Sequence, residues 1–131
     1  MIYLDSAAVV KLAHAEPESQ ALRDWLDQHA EIGWVSSALV EVESFRALAR
    51  HAPEAVVRLH PVLDIIDLVD LDPGIRILAQ AISPATVRSL DAIHLATALH
   101  IRAQLTAFVT YDKRLADAAT FAGLTVDMPT R

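Results

Sequence analysis

MIYLDSAAVVKL, residues 1–12, is the stretch on which the fold turns. Ile2-Tyr3-Leu4 has the length and the side chains of a short strand, Asp5 and Ser6 are helix-capping residues, and residues 6–14 contain no helix breaker. The reading is strand, acid, helix. FVTYDKRLADAA, residues 108–119, repeats it: residues 108–110 form a strand, Asp112 follows, and residues 113–122 form a helix stopped by Gly123. In RSLD, residues 88–91, a turn segment hands over to an Ala- and Leu-rich helix over 91–102. Such alternation predicts an α/β fold, a three-layer α/β/α sandwich around a mainly parallel central sheet.

The intervening chain keeps the rhythm. Pro17 opens a helix carrying Ala21, Leu22, Trp25 and Leu26, and Gly33-Trp34-Val35 is a brief strand. Ser36-Ser37 then reads as the cap of a strong helix through Leu39, Val42, Phe45 and Leu48, and Pro53 starts another. Residues 65–69 form a β-branched strand, Asp72-Pro73 opens a helix that Ser83-Pro84 ends, and residues 124–126 make the last strand. Without repeats or linkers, residues 1–131 are expected to form a single domain.

With 131 residues and 53% hydrophobic content, one domain can bury roughly two-thirds of its unfolded surface. The absence of Cys removes disulfides, thiolate catalysis and cysteine-based zinc sites. The first residues lack a cationic stretch ahead of an apolar core, and no apolar run approaches the ~20 residues a bilayer needs, so a cytoplasmic protein without a membrane span is expected. Seventeen acids against eleven Lys and Arg give a formal charge of −6, which argues against holding nucleic acid by bulk electrostatics. A nuclease stays compatible, because part of that charge belongs to a metal pocket.

Asp5, Asp91 and Asp112 each stand where a strand-like or turn segment gives way to a helix. Any one of them is accounted for as an N-cap that complements the helix dipole. Three caps need not converge, whereas three ligands must. At successive strand-to-helix transitions on one side of a parallel sheet, they are expected to share the crevice beyond the strands' carboxyl ends. Crowded carboxylates repel and rise in pKa, and a hard divalent cation relieves them. Metal-dependent chemistry on a phosphate is therefore expected. A fourth acid should come from the helix after Ser37, where Glu41 and Glu43 point about 200° apart, so that only one can face the crevice. Periodicity does not choose between them.

Four blocks carry a resemblance: MIYLDSAAVVKL at 1–12, SSALVEVESFRALAR at 36–50, SLDAIHLATAL at 89–99 and TYDKRLADAA at 110–119. In this order and at this spacing the chain resembles the PIN-domain ribonucleases, specifically the VapC-type toxins of bacterial toxin–antitoxin pairs. The resemblance implies a PIN-like fold and a metal-dependent endoribonuclease. It also implies that Asp5, Glu43, Asp91 and Asp112 form the acidic site, Glu43 being preferred to Glu41 because it precedes Arg46-Ala47-Leu48 by the family's three-residue offset. Ser6 stands where Thr is more usual and keeps the hydroxyl. Asp117 is expected only to decorate its helix.

Mg²⁺, with Mn²⁺ as an alternative, suits such oxygen ligands, Asp5 and Asp91 binding directly and Asp112 and Glu43 through water. The implied partners are an RNA substrate, a cognate antitoxin that brings a cationic side chain to the acids, and a second copy of the chain, with apolar surface near Trp25, Phe45 and Leu48 available for a homodimer. Ser6 and Thr110 are expected as supporting hydrogen-bonders. Lys11, Arg46, Arg50, Lys113 and Arg114 are candidates for RNA phosphates, with solvated helix charge as the default for each. His94 shares the face of Asp91, but a packed or hydrogen-bonded histidine outweighs a contact with the crevice. The six histidines include no i, i+4 pair, which disfavours zinc. A receiver-like signalling domain would need paired acids after the first strand and a Lys-Pro after the last, and a haloacid-dehalogenase-type phosphatase would need Asp-x-Asp where this chain has Asp5-Ser6-Ala7. An inactive PIN-like binding module is the remaining alternative, and RNA cleavage distinguishes it.

Overall fold

Ile2, Tyr3 and Leu4 are all fully buried, because the strand they form is covered on both faces. Ile2 and Leu4 pack with Ala8, Val9, Leu22, Val40 and Leu48 on one side, while Tyr3 packs with Val35, Leu95, Phe108 and Leu115 on the other. Period-two alternation in three residues thus seeds both cores. Tyr3 stacks on Phe108 with ring centroids 5.1 Å apart, a contact worth about 1 kcal/mol beyond the area it buries.

The computed structural model describes residues 1–130. Its strands are β1 (Ile2–Leu4), β2 (Trp34–Ser37), β3 (Ile66–Val69), β4 (Ala107–Val109) and β5 (Val126–Asp127). They form one sheet in the order β3-β2-β1-β4-β5, every neighbouring pair parallel. The helices are α1 (Ser6–Ala13), α2 (Ser19–Asp27), α3 (Leu39–His51), α4 (Leu59–Leu63), α5 (Pro73–Gln80), α6 (Ser89–His100) and α7 (Lys113–Phe121), with a 3-10 segment Pro53–Arg58 ahead of α4. Side chains of α1 to α4 build the core under Ile2 and Leu4, and those of α6 and α7 build the core under Tyr3. This is the expected three-layer α/β/α sandwich. The chain leaves β1 toward β2 on one side and later returns to β4 on the other, so β1 and β4 flank the topological switch point.

Local signals account for most of the element ends. Asp72 caps α5 by accepting from the Ile75 amide at 2.8 Å, with Pro73 at the first helical position. Gly123, at φ 96°, closes α7, and the Leu124 amide reaches back to the Ala119 carbonyl at 3.0 Å, the Schellman arrangement. Among the described residues no helix is long and apolar enough to cross a membrane.

Three expectations need correction. Ser36 does not cap α3: it lies in β2 and donates across the sheet to the Leu4 carbonyl at 2.6 Å, whereas Ser37, the last residue of β2, does accept from the Leu39 amide at 3.2 Å where α3 begins. Asp91 is not at a strand-to-helix transition: it sits in the first turn of α6, which is entered from the loop after α5. Lys11 is not a solvated helix charge. It is buried beside Tyr111 and bonded to Glu16 at 2.9 Å and Glu18 at 3.2 Å, and although burial lowers its pKa these acids outweigh that and raise it.

Candidate active site

Asp5 leaves the C-terminal end of β1 and caps α1, its Oδ1 accepting from the Ala8 amide at 3.0 Å. Its own amide donates to the Val109 carbonyl at 3.3 Å, which pins it to the end of β4 at the switch point. The residue is only 5% exposed. Burial raises its pKa most, and the charge of Asp91 adds to this, against the opposing Thr110 hydroxyl, Ala8 amide and His94.

Glu43 comes from the second turn of α3 and turns inward onto α1 and α6. Ser6 Oγ donates to its Oε1 at 2.5 Å, and His94 Nε2 lies 2.7 Å from the same oxygen. Burial pushes the Glu43 carboxyl up, but His94 and the Ser6 hydroxyl overcome it and hold the pKa below the ordinary value. The other ring nitrogen, His94 Nδ1, is 2.6 Å from the Tyr3 hydroxyl, which accepts from the Ser37 amide at 3.1 Å. Burial drives the Tyr3 pKa far up, so the phenol keeps its proton.

Asp91 and Asp112 occupy the outer side. Asp112 caps α7, its Oδ1 accepting from the amides of Arg114 at 2.8 Å and Leu115 at 3.0 Å, and its own amide donates to the Thr110 hydroxyl at 3.1 Å. Arg88 spans both acids, with Nη2 3.1 Å from Asp112 Oδ2 and Nε 3.5 Å from Asp91 Oδ2. The Asp91 pKa is raised by burial first and by the charge of Asp112 next, with Arg88 and His94 opposing and Glu43 adding to the rise. Asp91 therefore interacts with the other acids from both sides.

All four predicted acids are neighbours at the carboxyl edge of the sheet, linked by these contacts and fields. They do not form a closed cage: among the described residues, no three His, Asp or Glu side chains stand close enough to hold an ion together. The donor set itself suits a hard cation, since every candidate atom is a carboxylate or hydroxyl oxygen and neighbouring acids help to raise the pKa of Asp5 and of Asp91. Glu41 and Asp117 are exposed and take no part in these contacts. A groove of about 660 Å³ lies between α1 and α3, lined by Ser6, Glu43, Val42, Arg46, Arg50 and Leu90 among others. Lys113 and Arg114 are exposed at the start of α7. Trp25 is partly buried against the core with its ring tilted by 35° against that of His29, centroids 4.3 Å apart, Trp34 is partly buried in β2, and Leu48 is core rather than surface.

Sequence reasoning passed over Tyr3 and Arg88 and gave His94 less weight than its bonds warrant. His94 was weighed as a packed or hydrogen-bonded histidine, and the polar end of Tyr3, its partner across 91 residues, carries no local signal. Arg88 was unremarked, although its i, i+3 spacing to Asp91 was a usable sign.

Comparison with known proteins identifies the family. Residues 2–120 match the PIN domain family. The chain is 48% identical to Ribonuclease VapC35 of Mycobacterium tuberculosis and 43% identical to Ribonuclease VapC47 of the same organism, in each case over 98% of this chain and 97% of the other. Its fold is shared with the crystal structure of VapBC2 from Rickettsia felis bound to a DNA fragment from their promoter, at TM-score 0.75 and 14% identity, and with FitAcB from Neisseria gonorrhoeae, at 0.71 and 19%. Both superpositions cover 98% of each chain. A parallel sheet with acids at its switch point, matched over nearly its whole length by VapC ribonucleases, places this chain in the PIN-domain family, among its VapC-type members.

Proposed function

We propose that the protein is a divalent-metal-dependent endoribonuclease toxin, that Asp5, Glu43, Asp91 and Asp112 form its active site, and that a cognate antitoxin restrains it in the cytoplasm. The observation that carries the reading is the placement of Asp5 at the β1/β4 switch point, where the charge of Asp91 raises its pKa while the charges of Asp112 and Glu43 raise that of Asp91. Mg²⁺ or Mn²⁺, when bound, supplies an activated water and neutralises charge on the phosphate. Asp5 and Asp91 would hold the ion, and Asp112 and Glu43 would complete the shell through water or orient the attacking water. Asp5 is held in place by its cap and strand-end bonds.

The groove between α1 and α3 is lined in part by Glu43, and Arg46 and Arg50 in it offer positive charge to an RNA backbone. An antitoxin segment with an apolar face and a basic side chain suits the same groove. Arg88 supports this, as a guanidinium bridging Asp91 and Asp112 within one chain. Val42, Phe45 and Leu90 are exposed apolar side chains available to the antitoxin or to a second copy, and sedimentation at micromolar concentration reads the homodimer.

Purified wild-type protein, Asp5→Asn and Asp91→Asn, each incubated with single-stranded RNA and titrated with Mg²⁺ or Mn²⁺, test the function. Cleavage that needs the ion and disappears in both variants supports it. Undiminished cleavage by both variants, or cleavage indifferent to chelator, contradicts it.

A further inference from the structure

The hydrogen bonds around Glu43 form a chain. The Ser37 amide donates to the Tyr3 oxygen at 3.1 Å, and the phenol, 2.6 Å from His94 Nδ1, is placed to donate its proton there. A ring that accepts at Nδ1 carries its proton on Nε2, which lies 2.7 Å from Glu43 Oε1. Oε1 therefore receives two donors, Ser6 Oγ and His94 Nε2, and among the described residues Oε2 has no hydrogen-bond partner. Glu43 is 17% exposed and His94 1%, so the chain starts in the core and ends at the crevice. A histidine serving the core alone has no need to end on the one glutamate that the fold brings to the acids.

We propose that His94 is a positioning residue for the ribonuclease reaction: Tyr3 fixes its ring as the Nε2–H tautomer, and that ring turns Glu43 so that Oε1 is occupied inside and Oε2 is presented to the crevice. This rests on the function proposed above and deepens it. A fixed tautomer gives Glu43 one orientation, which a ring free to exchange its proton between the two nitrogens does not.

The test uses the metal-free protein, Mn²⁺ alone as the metal probe, and one single-stranded RNA. Ring ¹⁵N shifts of wild-type His94 should show Nδ1 unprotonated and Nε2 protonated, and Tyr3→Phe, which removes only the hydroxyl, should convert this to a tautomer mixture. His94→Leu should lower kcat about 10- to 100-fold with KM within about threefold, and should weaken Mn²⁺ binding to the apoprotein, the range seen when partners of metal ligands are removed. His94→Gln, which can still offer a donor to Oε1, should recover part of both, and Tyr3→Phe should fall between it and the wild type. A purely structural histidine would lower thermal stability and leave kcat per folded molecule unchanged. The proposal is overturned by a proton on Nδ1 in the wild type, or by unchanged kcat and Mn²⁺ affinity in folded Tyr3→Phe and His94→Gln. If the wild type does not cleave RNA, the proposed function fails by itself, while the ring shifts and Mn²⁺ affinities still decide the role of His94.

Discussion

Asp5 and Glu43 sit inside the protein with donors already aimed at them, whereas Asp91 and Asp112 lie nearer the rim, bridged by a guanidinium that is 76% exposed. The inner pair is held by bonds to Ala8, Ser6 and His94 whose partners are buried or partly buried. In the outer pair Asp112 has its cap bonds to the Arg114 and Leu115 amides, but its free oxygen and Asp91 are bridged only by ion pairs that water screens, of a kind contributing about 0–1 kcal/mol. One half of the crevice is thus prepared before any ligand arrives, and the other half can exchange its cation. This division suits a site in which an internal arginine, a metal ion and an inhibitor's basic side chain would compete for the same acids.

The division concerns how the acids are held, not whether they are needed. Asp5→Asn and Asp91→Asn should each lower RNA cleavage about a thousand-fold, equivalent to about 4 kcal/mol of lost charge stabilisation, in single-turnover assays at fixed Mg²⁺. Asp112→Asn, which keeps the α7 cap, should cost less, about tenfold. A larger loss from Asp112→Asn than from Asp5→Asn would break the proposed order of ligands. Within α3, Glu43→Gln should cost about 100-fold and Glu41→Gln less than about twofold, because only Glu43 turns inward. Equal activities would mean that the hydrogen bonds to Glu43 have no part in the chemistry.

Stability against pH separates the two inner acids. The Asp5 pKa is raised in the folded state, so the folded apoprotein binds that proton more tightly than the unfolded chain does. Its stability falls as pH rises from the ordinary carboxylate value through the raised one. Asp5→Asn should therefore raise Tm at neutral pH, with the gain vanishing in acid. The Glu43 pKa is lowered, so its contribution is full above the ordinary value and is lost as pH falls through the folded one. Glu43→Gln should lower Tm at neutral pH and not in acid. Thermal melts in chelator would show these opposite trends, and parallel trends would sink this electrostatic account. At the rim, Arg88→Ala should tighten Mn²⁺ binding by no more than about fivefold, measured by calorimetry, since its ion pairs are screened.

Which features were legible in the sequence follows from the range of the interactions. Strand, aspartate and helix succeed one another within ten residues at Asp5 and again at Asp112, and local capping chemistry marks both. Asp91 was misplaced because a turn-like RSLD resembles a strand end, and Ser36 because it serves β2, while Ser37 both ends β2 and accepts from the first amide of α3. The choice between Glu41 and Glu43 depends on which face of α3 meets Ser6, 37 residues away, and helix periodicity contains no such information. Family register supplied what periodicity lacked. The Tyr3–His94 bond spans 91 residues, so nothing near either residue announces it. Arg88 was passed over because an exposed arginine is ordinarily unremarkable.

Crystals soaked in Mn²⁺ and measured for its anomalous signal address the central claim most directly. The account predicts a peak bounded by Asp5 and Asp91, with Asp112 and Glu43 within reach through water and the Arg88 guanidinium turned away from Asp91. A peak at other acids, or none at the β1/β4 crevice at saturating Mn²⁺, would contradict it.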